Sequence, residues 1–248
     1  MSFPLEASGF HLQYLSPAVR SGTFNLVFAG LNYPDRGSFL KDLAGLEGRL
    51  RLTEPFDAFQ DSLRISYLEL DQKEEAAFFK NAGGAPGLKV RMDLLRRISG
   101  LTGLYKLVII DYRAAASSAE LSSIRRTSLI VLGRGRSSNG GDFAKAFLHE
   151  LGHSLGLRDE CLLCARREPG LPNCAPDKES AQKWWGRSVE YVNGCCGSKE
   201  YFRPTVASLM NDPRKASDYG FINQEYLRRE LSEFLSGARP PGERRAGR

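Results

Sequence analysis

The stretch His149-Glu-Leu-Gly-His-Ser-Leu-Gly-Leu-Arg-Asp-Glu160 decides how the rest of this chain is interpreted. Residues four apart on a helix share one face and lie about 6 Å apart along its axis, so His149 and His153 can reach one metal ion. Glu150 lies beside them, where it can take a proton from a metal-bound water without being a ligand. Gly156 can adopt the left-handed conformation that ends a helix and turns the chain back. The stretch therefore predicts one catalytic Zn²⁺ ion on a helix.

The third metal ligand is expected shortly after that turn. Asp159 lies six residues after His153, the spacing at which extended zinc signatures place a third ligand. Glu160 is the alternative ligand, and spacing favours Asp159. Met210, in Ser208-Leu-Met-Asn211, is the candidate for a methionine turn beneath the metal. A methionine after a leucine is often only a core residue, and the nearby metal signature favours the turn.

The composition is that of a globular protein with a packed core. Its 248 residues are 42% hydrophobic, and no apolar run approaches the ~18 residues needed to span a bilayer. Lys and Arg number 35 against 29 Asp and Glu, which gives a net charge of +6. Because no basic stripe with interleaved aromatic residues accompanies this charge, a solvated basic surface is expected rather than a nucleic-acid site.

The pattern of apolar residues predicts an α/β fold. Short apolar runs typical of buried strands occur at residues 24–29, 63–70, 105–110 and 128–132. Helices are expected at residues 37–52, 90–98, 143–155 and 223–235, and Asp142 is the expected N-cap of the third. This alternation indicates a mostly parallel twisted sheet with helices packed against it.

The chain divides into four expected parts. Residues 1–22 form an N-terminal extension, and 23–156 form an upper α/β subdomain that ends with the active-site helix. Residues 157–237 form a loop-rich lower subdomain that contains Met210, and 238–248 form a disordered basic tail.

All five cysteines lie in the lower subdomain, at Cys161, Cys164, Cys174, Cys195 and Cys196. Two disulfides with one remaining thiol would strengthen a region where core burial is thin. The alternative is a structural zinc ion held by Cys161, Cys164, Cys174 and one of the adjacent pair. Unpaired thiols are the third possibility. The disulfide interpretation is favoured.

These features resemble the metzincins, and from Phe24 to Leu231 the chain resembles the IgA-peptidase family of bacterial metzincin endopeptidases. The segments that carry this resemblance are residues 24–33, 54–57, 65–70, the helix through Asp159-Glu160, Pro172-Asn173, Lys183-Trp184, 201–205, 208–210 and 221–224. The family often has one more residue between the second histidine and the Asp-Glu pair. No tyrosine lies two residues after Met210, where some metzincins use one to stabilise the tetrahedral intermediate; Tyr201 and Tyr219 are the conceivable substitutes.

The resemblance implies a zinc metalloendopeptidase with a metzincin-like zincin domain. The expected ligands are His149, His153 and Asp159, with Glu150 as general base and a protein or peptide as substrate. A catalytically silent module that binds a peptide or glycoprotein is the alternative. The resemblance also implies secretion or a cell-envelope location, whereas residues 1–6 lack the layout of a signal peptide, which leaves a cytoplasmic location open. A monomer is expected.

Overall fold

A computed structural model describes residues 11–16, 24–69, 104–114, 117–119, 128–135, 140–161, 169–187 and 190–236. The predicted helix at 90–98, the basic tail at 238–248 and Cys164 lie outside these ranges. No helix among the described residues is long and apolar enough to cross a membrane.

The described strands form one large mixed sheet. They are β1 (His11–Ser16), β2 (Phe24–Leu31), β3 (Leu63–Glu69), β4 (Leu104–Asp111), β5 (Ser118–Ala119) and β6 (Ser128–Gly133). Their order is β1-β3-β2-β4-β6-β5. The inner strands β3, β2, β4 and β6 are parallel, and β1 and β5 pair antiparallel at the two edges. The predicted α/β fold with a mostly parallel sheet is confirmed, and β1 extends this sheet into residues that the sequence assigned to an N-terminal extension.

Four helices accompany the sheet in the described part of the chain. They are α1 (Arg36–Arg51), α2 (Gly140–Ser154), α3 (Lys178–Trp185) and α4 (Phe221–Leu235), with a 3-10 helix at Phe56–Ser62. A separate hairpin pairs β7 (Val192–Cys195) with β8 (Ser198–Arg203). The sequence did not predict α3 or this hairpin, because such short segments contain too few residues to show a periodic apolar pattern.

Helix α2 begins earlier than its sequence indicates. It starts at Gly140, so Asp142 is in the first helical turn and is not the N-cap that the sequence predicted. The glycine pair before Asp142 adopts helical geometry although glycine is a poor helix former, which is why the sequence placed the boundary too late. A carboxylate in the first turn still interacts favourably with the positive end of the helix dipole.

One apolar core joins the two subdomains that the sequence separated. The α2 residues Phe143, Phe147 and Leu151, with Leu155 directly after the helix, are buried in the same cluster as residues of the sheet. Residues of the lower subdomain belong to the same buried cluster, namely Leu209, Met210, Tyr219, Leu227 and Leu231. Helix α2 is therefore packed on one side by the sheet and on the other by the lower subdomain, which fixes the histidines it carries.

The C-terminus of α2 is closed by a Schellman turn. Gly156 has a φ of 102°, its N–H donates to the His153 carbonyl at 3.0 Å, and the Leu157 N–H donates to the Gly152 carbonyl at 3.0 Å. The buried Lys106 of β4 donates its Nζ to the Ser154 carbonyl. These bonds satisfy carbonyl groups that a helix end would leave unpaired, and they direct the chain past α2 toward Asp159.

Candidate metal centre

Three potential ligand atoms converge beside α2. Nε2 of His149 lies 3.1 Å from Nε2 of His153, and Asp159 Oδ1 lies 3.4 Å from the first and 3.2 Å from the second. The side chains are 17%, 13% and 27% exposed, respectively, so the group faces solvent on one side. The structure thus brings together the three residues that the sequence singled out as ligands.

The size of this triangle fits a zinc ion. Nitrogen and oxygen ligands bind zinc at about 2.0–2.2 Å, and in a tetrahedral site they are then about 3.3–3.5 Å from one another. Of the observed separations, 3.4 Å lies within this range, and 3.1 and 3.2 Å lie 0.1–0.2 Å below it. Three protein ligands with one side open to solvent is also the arrangement of catalytic zinc sites, which keep the fourth position for water or substrate.

The outer nitrogen of each histidine is fixed by a backbone carbonyl. Nδ1 of His149 lies 2.7 Å from the Leu209 carbonyl oxygen, and Nδ1 of His153 lies 2.9 Å from that of Leu157. A carbonyl only accepts, so each Nδ1 must carry the hydrogen. In the neutral imidazoles both Nε2 lone pairs therefore point toward Asp159, as metal binding requires.

The electrostatics of the three residues show what holds them together without a metal. Burial opposes the charge of His149, but the Asp159 hydrogen bond, the Leu209 carbonyl and the nearby Glu150 together raise its pKa above the ordinary value. Burial would likewise raise the pKa of Asp159, but the hydrogen bonds from His149 and His153 outweigh it and lower that pKa well below its usual range. A divalent cation can bind between the anionic Asp159 and the imidazole nitrogens if it displaces the proton that they share.

Glu150 lies next to these ligands with its carboxylate uncommitted. It is 8% exposed, and burial raises its pKa, with Asp159 adding to this effect and the two histidines opposing it. Among the described residues, no hydrogen bond contributes to this pKa shift. A carboxylate whose pKa is raised and whose oxygens are not engaged can accept a proton during a reaction.

Glu160, the alternative third ligand, is placed differently. Its side chain is fully buried, and its oxygens accept hydrogen bonds from Asn173, Ser208 and Asn223. Burial raises its pKa, and these three donors oppose the rise. The structure therefore brings Asp159, and not Glu160, to the two histidines.

Met210 lies in a turn packed against α2. The turn is closed by the Asn211 N–H, which donates to the Ser208 carbonyl at 3.0 Å, and Met210 is fully buried. A Cβ added at Gly152 would lie 2.6 Å from the Met210 sulfur, so the side chain touches α2 directly beside His153. The same turn supplies the Leu209 carbonyl that binds His149. Sequence patterns could not identify this carbonyl, since any residue type can provide one.

The hydroxyl of Tyr219, one of the two candidate tyrosines, is bound away from the metal ligands. Tyr219 is fully buried, and its hydroxyl donates to the Leu148 carbonyl of α2. Tyr201 packs against the buried cysteine cluster. The Tyr219 hydroxyl therefore has a structural role in this position.

The described cysteines lie behind the metal ligands. Cys174 and Cys195 form a disulfide with Cα atoms 5.8 Å apart, and Cys161 is also disulfide-bonded. Cys196 is buried beside Cys174 and Cys195, with the three sulfur atoms within 4.8 Å of one another. Cys164 lies outside the described residues. This arrangement corresponds to the disulfide alternative, because zinc ligation would require the sulfurs as thiolates.

Comparisons with known proteins give a structural likeness. No protein-family model matches the chain, and no curated protein matches its sequence. Among solved structures the chain is similar to the crystal structure of archaemetzincin from Methanopyrus kandleri. The TM-score is 0.42 at 16% sequence identity, over 86% of this chain and 98% of that chain. The resemblance to the IgA-peptidase family stays a prediction.

Proposed function

We propose that this chain is a zinc-dependent endopeptidase of the metzincin type, belonging to the IgA-peptidase family. The observation that carries the proposal is the convergence of His149 Nε2, His153 Nε2 and Asp159 Oδ1 at separations of 3.1–3.4 Å. Two neutral imidazoles and one carboxylate are ligands that zinc prefers. The position of Glu150 beside them separates this group from a purely structural metal site.

His149, His153 and Asp159 would hold the metal ion in this proposal. The Leu209 and Leu157 carbonyls hold both imidazoles in the tautomer that leaves Nε2 free to coordinate. Asp159 supplies a negative charge, so the three ligands together leave a bound divalent ion with a net positive charge. When bound, zinc supplies a Lewis acid that polarises the peptide carbonyl and lowers the pKa of a water molecule to about 7.

Glu150 carries the proton transfers in this proposal. Its carboxylate accepts a proton from the attacking water and then donates that proton to the leaving amine nitrogen. The raised pKa of Glu150 suits the first step, because a stronger base removes the proton more readily than an ordinary exposed carboxylate would. Its partial burial also keeps bulk water from competing for that proton.

The substrate is proposed to be an extended protein or peptide segment lying along an edge strand of the sheet. Strand β5 is such an edge, pairs antiparallel with β6, and contacts helix α2. An extended peptide can pair with an exposed strand edge through its backbone, which favours affinity for unfolded segments over a fixed side-chain sequence.

A catalytically silent module that binds peptide or glycoprotein is the second candidate. The observation that favours it is the placement of Tyr219, whose hydroxyl is held by Leu148, and of Tyr201 in the cysteine cluster. The Tyr219 hydroxyl, bound to Leu148, is therefore not placed to stabilise a tetrahedral intermediate. Zinc binding together with peptide binding, but without hydrolysis of any member of a peptide library, would select this candidate.

We also propose an oxidising compartment, either secreted or in the cell envelope. The Cys174–Cys195 disulfide supports this location, since structural disulfides persist outside the reducing cytoplasm. Mass measurement of the protein from its native host after alkylation, with and without reduction, tests this point. A fully alkylated native protein would indicate a cytoplasmic location instead.

The catalytic proposal is tested with Glu150→Ala. We expect this variant to bind zinc like the wild type but to lose cleavage of an unfolded protein substrate by about 10²–10⁴-fold, the usual contribution of a general base. Glu200→Ala, which removes an exposed carboxylate on β8, is the matched control and should cleave like the wild type. Undiminished cleavage by Glu150→Ala would contradict the mechanism.

A further inference from the structure

The Glu160 carboxylate connects three separate segments of the lower subdomain. Oε1 accepts from Asn173 Nδ2 at 2.9 Å and from Asn223 Nδ2 at 2.8 Å, and Oε2 accepts from the Ser208 hydroxyl. Asn173 precedes the disulfide-bonded Cys174, Ser208 begins the methionine turn, and Asn223 lies in α4. Proposed catalysis uses none of these four side chains, and all four are fully buried.

The same network fixes the backbone on both sides of Asp159. The Asn173 side chain accepts from the Arg158 N–H at 2.9 Å and donates to the Arg158 carbonyl at 2.9 Å. On the other side, the Glu160 N–H donates to the Met210 carbonyl at 2.8 Å. Arg158 is therefore held by Asn173, which also donates to the Glu160 carboxylate. Glu160 is held by Met210, which lies two residues after Ser208, another donor to that carboxylate.

The network reaches His149 as well. Ser208, which donates to Glu160, directly precedes Leu209, whose carbonyl accepts the Nδ1–H of His149 at 2.7 Å. One buried carboxylate thus anchors both the turn that orients His149 and the irregular segment that carries Asp159. A shift in this turn would move the Leu209 carbonyl and Asp159 relative to α2. It would thereby distort the triangle of ligand atoms, whose sides are only 3.1–3.4 Å.

We propose that Glu160 is a positioning residue that sets the geometry of the zinc ligands, acting through Asn173, Ser208 and Asn223. This inference rests on the proposed zinc site and adds a role for the residue that the sequence considered as an alternative ligand. Three donors converge on the carboxylate from three segments, so the position requires an acceptor of this shape and not merely a buried side chain. Glutamine at position 160 keeps an acceptor for the two asparagine amides and places an NH₂ group toward the Ser208 oxygen. Glutamine should therefore preserve most of the positioning effect, whereas alanine should lose it.

The test is metal affinity together with the visible spectrum of the cobalt-substituted protein. Zinc affinity is measured by competition with a chromophoric chelator, at a temperature where every variant is folded by circular dichroism. We expect Glu160→Ala to bind zinc about 10–100-fold more weakly than the wild type and to have an altered Co²⁺ spectrum, as for the loss of groups that orient metal ligands. Glu160→Gln should stay within about threefold of the wild type and restore the spectrum.

Two further variants complete the design. Leu46→Ala removes a core side chain of α1 and should lower thermal stability without changing zinc affinity or the Co²⁺ spectrum. If Glu160→Ala does not fold, Ser208→Ala removes a single donor and should weaken zinc binding in the same direction.

Three results would overturn parts of this account in distinguishable ways. Wild-type affinity and spectrum in a folded Glu160→Ala or Ser208→Ala protein would overturn the positioning role. An equal loss of affinity in Leu46→Ala would also overturn it, because general destabilisation would then explain the effect. A wild-type protein that binds neither zinc nor cobalt would instead overturn the proposed function.

Discussion

At the scale of single residues, Asp159 and His149 form the pair whose charges depend most clearly on each other. The Asp159 carboxylate keeps its charge because the imidazoles donate to it, and His149 gains affinity for a proton for the same reason. Without metal, a proton on His149 takes the place of the cation between the two groups. Metal binding must displace this proton, so zinc affinity should rise with pH through the range where His149 titrates.

The pH dependence of the metal-free protein follows from the same pair. The pKa of Asp159 is lowered in the folded protein. Its contribution to the free energy of unfolding is therefore present above the unfolded-state pKa of about 3.9 and is lost as pH falls through the folded pKa. The pKa of His149 is raised in the folded protein. Its contribution to the free energy of unfolding is therefore present below the unfolded-state pKa of about 6.5 and is lost as pH rises through the folded pKa.

Asp159→Asn should therefore reduce the free energy of unfolding of the metal-free protein most between about pH 4 and 6.5, by roughly 1–2 kcal/mol. The cost should shrink as pH rises through the folded pKa of His149, where that residue loses its proton. Urea unfolding with chelator present, at pH 5.5 and pH 8, measures this difference. A cost that does not change between these two pH values would contradict the proposed pairing.

At the scale of elements, the contact between α2 and the methionine turn depends on a missing side chain. Gly152 lies between the turns of α2 that carry the histidines, and a Cβ there would lie 2.6 Å from the Met210 sulfur and 3.0 Å from Tyr219 Cε1. Tyr219 has little freedom to move, because its hydroxyl is bound to the Leu148 carbonyl. The glycine thus lets the turn approach α2 closely enough for the Leu209 carbonyl to reach His149.

Gly152→Ala should destabilise the protein despite alanine's better helix propensity. Overpacking costs about 1–3 kcal/mol, and the propensity gain is about 1 kcal/mol, so a net loss of up to about 2 kcal/mol is expected. The matched control is Gly45→Ala in α1, where an added Cβ meets nothing within 4 Å and stability should rise by up to about 1 kcal/mol. Chemical denaturation compares the two variants; equal gains would show that Met210 and Tyr219 do not restrict this site.

Sequence could predict the elements and residues whose pattern is local. The four parallel strands of the sheet and the spacing of His149, His153 and Asp159 are of this kind, since period and spacing are properties of a short stretch. Spacing could only favour Asp159 over Glu160 as the third ligand. The different placement of Glu160 depends on Asn173, Ser208 and Asn223, which come from distant parts of the chain. Strand β5 has two residues, too few to show alternation, and it exists because β6 offers it a partner.

At the scale of the whole molecule, the proposed metal ligands come from two regions that share one core. Helix α2 supplies the histidines, and the lower subdomain supplies Asp159. The hairpin of β7 and β8 packs behind Asp159, where the Cys196 N–H donates to the Asp159 carbonyl at 3.1 Å. The Cys174–Cys195 disulfide ties this hairpin to the Asn173 segment, 21 residues earlier.

Replacing both Cys174 and Cys195 by serine should lower the free energy of unfolding. The disulfide closes a loop with a sequence separation of 21, for which loop-closure entropy gives about 3 kcal/mol. Guanidinium unfolding of the variant and the oxidised wild type measures the change. Equal stability of the two proteins would show that the bond does not constrain the unfolded chain.

The central claim is that one zinc ion is bound by His149, His153 and Asp159 and not by cysteine sulfur. Extended X-ray absorption fine structure at the zinc K edge of the zinc-loaded protein tests this claim most directly. The account predicts one ion per chain with only nitrogen and oxygen neighbours at about 2.0–2.2 Å, including two imidazoles. A first shell that contains sulfur at about 2.3 Å would place the ion at the cysteines and contradict the account.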